Sequence, residues 1–99
     1  MTNEKIITRL QQKGWYIETN TDHERALVFN ACLDSGVNWN SGDKSYDFHL
    51  NKMIAIGFVK GGTTGLVCAF TRFYVDRFYK PNNENITKWF FDNINAEDV

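Results

Sequence analysis

Apolar residues recur at helical spacing at Ile6, Ile7 and Leu10, and Gly14 follows as a helix stop. Thr2 is placed to cap this first helix, with Glu4 near its start and Lys13 near its end, as the helix dipole favours. Trp15-Tyr16-Ile17-Glu18-Thr19 then alternates as a short strand, with Trp15 and Ile17 on one face. Asn20-Thr21 turns the chain. Thr21 or Asp22 caps a second helix carrying Ala26, Leu27, Phe29, Ala31 and Leu33, and Thr21 followed by Glu24 has capping-box spacing. Asp34-Ser35-Gly36 ends it, with Gly36 at the left-handed position.

The second half reads mainly as sheet. Tyr46, Phe48 and Leu50 alternate with polar residues, as a half-buried strand or an extended arm. Met53 to Val59 is a nearly continuous apolar strand, Lys60 to Gly65 a glycine-rich reversal, and Leu66 to Tyr74 the antiparallel return. Both strands of this central hairpin are apolar on two faces, so a helix or another subunit must cover the second face. Val75 to Asn85 reads as polar and irregular around Pro81. Asn85 caps a last helix containing Ile86, Trp89, Phe90, Phe91 and Ile94. Neighbouring residues on a helix are about 100° apart, so Trp89, Phe90 and Phe91 are not expected to share one core, and one is expected against a partner chain. The sum is a single α+β domain over residues 1–99: a small antiparallel sheet with a central hairpin, packed by two N-terminal helices and one C-terminal helix.

Composition narrows the class. Ninety-nine residues with 42% hydrophobic, 15% aromatic and 23% charged residues suffice for a core without staples. No run is long and apolar enough to span a membrane, and the polar N-terminus does not resemble a signal peptide, so a cytoplasmic setting is expected. Cys32 and Cys68 form no disulfide framework and read as small buried hydrophobes. The net charge of −1 conceals a segment from Lys44 to Lys80 that carries +4 against −5 elsewhere. That asymmetry favours a small anionic ligand over a wrapped duplex, although cations scattered round a solvated sheet edge give the same count.

Catalytic chemistry is thin. His23 and His49 lack the spacing of a zinc site, Cys68 has no base partner in sequence, and Asp43 with Asp47 is more simply a solvated turn. No catalytic residue, metal or cofactor is assigned. The glycine-rich Gly61-Gly62-Thr63-Thr64-Gly65 lacks the Lys-Ser/Thr ending of a phosphate loop and precedes a strand, so a hairpin turn is the stronger reading.

Binding chemistry is richer. Gly36-Val37-Asn38-Trp39-Asn40-Ser41-Gly42-Asp43 places an indole among small polar residues and glycines, with Lys44 just beyond. Trp39 offers a stacking face, Ser41 and Asp43 offer hydrogen-bonding groups, and Gly42 permits close approach. A turn holding a core tryptophan accounts for the same residues. Arg72, Phe73, Tyr74, Arg77, Phe78 and Tyr79 interleave guanidinium groups with rings, a pattern able to clamp bases and phosphates. A strand leaving the sheet with alternating buried rings and exposed cations weighs ahead there.

The segment from Gly36 to Asp43 resembles a pattern met in short phage proteins. In size, aromatic content and single-domain build, the chain is also similar to the phage sponge proteins that counter cyclic-oligonucleotide antiviral signalling (CBASS). The resemblance implies an immune-evasion protein in the host cytoplasm that sequesters a cyclic dinucleotide, such as cyclic GMP–AMP, in a homo-oligomer without cleaving it. The expected site, inferred from this chain's own residues, sets Arg72, Lys44 and Lys60 on phosphates. Trp39, Tyr46 or Tyr74 would stack on bases, and Ser41, Asp43 and Thr64 would read edges or ribose hydroxyls. The alternative is a protein–protein inhibitor of a host enzyme acting through the aromatic C-terminal helix.

Overall fold

Alternation in one short strand organises the molecule into layers. In β1 (Trp15–Glu18), Trp15 and Ile17 face one apolar cluster, while Tyr16 faces a second on the opposite side. A computed structural model describes residues 4–37, 53–60 and 65–96. Around β1 it places α1 (Glu4–Leu10), α2 (Asp22–Ser35), β2 (Ala55–Phe58), β3 (Val67–Ala69), α3 (Arg72–Tyr74, continuing as a π-helical turn over Val75–Tyr79), β4 (Glu84–Asn85) and α4 (Thr87–Ala96). The sheet order is β3-β2-β1-β4. Helices α1, α2 and α4 supply the first cluster through Ile6, Leu10, Val28, Phe29 and Phe90. Helix α3 covers the other face, where Val75 and Tyr79 pack with Tyr16, Ala55, Val59 and Ala69.

The expected α+β class is what the structure shows, with two differences of topology. The sheet is mixed: β2 runs antiparallel to β1 and β3, but β4 pairs parallel to β1, Trp15 opposite Glu84 and Tyr16 opposite Asn85. The segment expected to be irregular thus supplies both a helical turn and an edge strand. The return strand is also shorter than Leu66–Tyr74. After Ala69, Thr71 adopts an extended conformation and its hydroxyl accepts from the Tyr74 amide at 3.2 Å, which starts a helix at Arg72. The aromatic, β-favouring composition of this stretch points to strand, and a side-chain cap with tertiary packing overrides it. The extended segment expected at 46–50 lies outside the described residues.

The local signals at both ends of α2 and at the start of α4 hold, while the Thr2 cap expected for the first helix lies outside the described residues. Thr21 accepts from the Glu24 amide at 3.1 Å, and Gly36 sits at φ 75°, donating to the carbonyls of Cys32 and Leu33. The Asn85 side chain accepts from the Thr87 amide at 3.0 Å and so caps α4. Gly14, at φ +102°, donates to Phe58 at 2.7 Å and accepts from Glu84 at 2.8 Å, extending the ladder on both sides of β1. Arg25 is buried on α2, where Nε donates to the Met53 carbonyl and Nη1 pairs with Asp22, both at 2.8 Å. It therefore anchors the entry to β2 to the helix layer.

Helix α4 corrects the expectation that its three consecutive rings do not share one core. Phe90 is fully buried, and Trp89 and Phe91 both pack partly buried against the same cluster, Phe91 edge-on to Phe90 at 5.1 Å. Rings reach sideways from the helix, so the apolar stripe is wide enough for all three. Cys32 is buried as expected, and burial pushes its thiol up to about 12. Cys68 is only half-buried because β3 is an edge strand.

Two buried hydroxyls, Thr19 Oγ1 and Tyr79 Oη, have no hydrogen-bond partner among the described residues. Burial, the first cause, pushes the Tyr79 phenol well above its ordinary range. Because the hydroxyl was stripped of water without recompense, Tyr79→Phe is expected to stabilise the protein by about 1 kcal/mol. A thermal melt should rise by roughly 4–8 °C, and a fall would show that the hydroxyl is satisfied in solution.

Candidate binding face

The outer side of α3 is the most unusual surface of the described residues. Lys80 donates to the Val75 carbonyl at 3.0 Å, an i→i+5 bond that defines the π-helical turn. This turn directs Val75 and Tyr79 into the sheet and leaves their neighbours outside. Phe70 is 54% exposed, Phe73 70%, Tyr74 44% and Phe78 52%. Tyr74 stacks at a tilt on Phe78, with centroids 4.7 Å apart, and meets Tyr79 edge-on at 5.7 Å. The Arg77 guanidinium lies 5.8 Å from the Phe78 centroid, within cation–π range.

Charges surround the rings. Arg72 Nη1 bonds Glu18 Oε1 at 2.5 Å, and its Nε lies 3.4 Å from Asp76. Lys80 reaches Asp76 from the other side at 3.5 Å. The second Glu18 oxygen accepts from Asn85 at 2.9 Å, and the Glu18 amide donates to the Thr87 hydroxyl at 2.8 Å. Glu18 therefore joins the α3 layer, the sheet and the start of α4. The Tyr16 phenol beneath is raised, first by burial and then by the Glu18 carboxylate.

Of the expected site residues, Trp39, Ser41, Asp43, Lys44, Tyr46 and Thr64 lie outside the described residues. Arg72 and Tyr74 stand on the same helix, both exposed. Lys60 is elsewhere. It follows β2 at the Trp15–Phe58 end, where its amide donates to Asn83 at 2.9 Å and its stem runs close to Gly14. Arg72 sits at the Glu18–Ala55 end. The four-residue ladder between them is about 10 Å long, so the structure does not bring these two cations together.

Phe73 and Phe78 belong to the ring–guanidinium pattern of the sequence but not to the expected site, and Phe70 belongs to neither. A further signal for Phe73 and Phe78 exists: Arg-Phe-Tyr at 72–74 recurs at 77–79, five residues on. That spacing fits neither a strand nor an α-helix, but the i→i+5 bond of a π turn brings such residues into adjacent turns.

Among the described residues, no helix is long and apolar enough to cross a membrane, and no cluster of His, Cys, Asp or Glu could hold a metal ion. Comparison of the chain with protein-family models, curated proteins and solved structures finds no match.

Proposed function

We propose that this chain is a non-enzymatic binding protein that captures a cyclic dinucleotide, with α3 as part of its site. The observation that carries this reading is the pairing of exposed rings with cations on one helix. Tyr74 offers a stacking face, and Arg72 and Arg77 offer guanidinium groups suited to phosphate. Arg72 is already bonded to Glu18, so a phosphate must displace or share that carboxylate. The resemblance of the Gly36–Asp43 segment adds the setting: a phage protein that sequesters the signal in the host cytoplasm.

A ligand that prefers the native state stabilises it. A panel of cyclic dinucleotides should therefore contain one that raises the melting temperature, by roughly 10–20 °C at a hundredfold excess over Kd. Arg72→Ala should cost about 1.5–3 kcal/mol of that affinity, because a charge-assisted contact is lost. It should change stability by less than about 1 kcal/mol, because its ion pairs are solvent-exposed. No shift across the panel would overturn the proposal, and affinity unchanged in Arg72→Ala would remove Arg72 from the site.

The bare phenyl rings of Phe70, Phe73 and Phe78 favour a second reading, an inhibitor that docks on a host protein. Such an inhibitor would use α3 rather than α4, whose aromatic side chains pack on the core.

A further inference from the structure

We infer that Arg72 and Lys80 form a single site for a ligand phosphate, and that in the free protein the Asp76 carboxylate occupies the place of that phosphate. The two cations share one acceptor atom: Arg72 Nε lies 3.4 Å and Lys80 Nζ 3.5 Å from the same oxygen, Asp76 Oδ1. They reach it from positions four residues before and four residues after Asp76 on one helical stretch. A phosphate oxygen is, like a carboxylate oxygen, an anionic acceptor for such charged donors, and a phosphate has further oxygens with which to meet both cations at once. Both cations also act on one point of β1. Burial and the Glu18 charge raise the Tyr16 phenol, and Lys80 and Arg72 oppose them.

The two carboxylates of this cluster are held with different firmness. Glu18 is mostly buried and fixed: one oxygen accepts from Asn85 at 2.9 Å, and the other binds Arg72 Nη1 and so orients the guanidinium. Asp76 is half exposed and spans the two cations through ion pairs of a kind that contributes little to stability. It is therefore the group that an incoming anion expels. A bare phosphate gains little by exchanging one anion for another, whereas a ligand that also stacks a base on Tyr74 gains the stacking as well. Asp76 thus makes the site selective for phosphates that carry a base. The inference deepens the proposed function and rests on it for the source of the phosphate.

The test uses the whole chain and inorganic pyrophosphate, a probe without a base. The wild type should bind it weakly. Asp76→Asn keeps the shape and removes the charge, and should bind pyrophosphate about tenfold or more tighter by isothermal titration calorimetry, with little change in melting temperature. Adding Arg72→Ala or Lys80→Ala to Asp76→Asn should in each case return the affinity to near the wild-type level. Asp92→Asn makes the same charge change at the exposed Lys88–Asp92 pair of α4, and should leave pyrophosphate affinity within about twofold of wild type, because distant surface charges are screened. A pyrophosphate gain beside a nucleotide panel without a thermal shift would uphold the site and overturn only the nucleotide as its ligand. Asp76→Asn binding no tighter than wild type, a gain that survives the loss of Arg72 or Lys80, or an equal gain in Asp92→Asn would each overturn the inference.

Discussion

Replacing Trp15 with alanine is expected to destabilise the protein by about 3–5 kcal/mol, the largest effect of any single truncation in β1. The indole is fully buried at the centre of the cluster that joins α1, α2 and α4 to the sheet. Its Nε1 also donates to the Leu10 carbonyl at 3.1 Å, satisfying an acceptor that the end of α1 leaves free. Alanine removes the ring, opens a cavity between three elements and orphans that carbonyl. A domain of this size is held by about 5–15 kcal/mol, so much of the stability goes, and the melting temperature should fall by roughly 15–30 °C. Trp15→Phe separates the two contributions. It keeps most of the volume and loses the hydrogen bond, for an expected cost of about 1–3 kcal/mol. Equal losses in the two variants would show that the hydrogen bond, and not the packing, is what Trp15 provides.

Gly57→Val should cost about 2–3 kcal/mol for the opposite reason, since there is no room to fill. Gly57 lies in β2 opposite Tyr16, on the face covered by α3. A Cβ built there would stand 2.9 Å from the Trp15 carbonyl oxygen, 3.0 Å from the Tyr16 Cβ and 3.2 Å from a Val59 methyl. The first obstacle is backbone in a paired strand and cannot yield without disturbing the ladder. Valine is otherwise a better strand residue than glycine, so its intrinsic preference offsets part of the cost. Denaturant unfolding measures the balance. Wild-type stability in Gly57→Val would mean that β1 and β2 can separate locally to admit the side chain.

Much of the fold was legible in the chain because it rests on local chemistry. The Thr21 cap, the left-handed Gly36, the inward pair Trp15 and Ile17 and the capping Asn85 each satisfy rules that operate within a few residues. The candidate face was only half legible. Arg72 and Tyr74 fall among the expected binding residues, yet Phe and Tyr favour pleated surfaces, so composition points to strand over a stretch that the Thr71 cap turns into helix. Phe73 and Phe78 are exposed because this stretch is helical, whereas in a strand alternate rings would turn inward.

The sequence by itself determined the helices and strands whose ends carry their own capping and turn groups, the burial of Cys32, and the need for a cover on both faces of the β2–β3 pair. Those outcomes depend on short-range hydrogen bonds and on the period of apolar positions. What covers the second face, the parallel pairing of β4 with β1 and the separation of Lys60 from Arg72 were decided only by the tertiary structure. Each of these depends on which distant segments meet. A two-residue edge strand has too few residues to show a period, and the π turn holds its shape because Val75 and Tyr79 find a sheet to pack against.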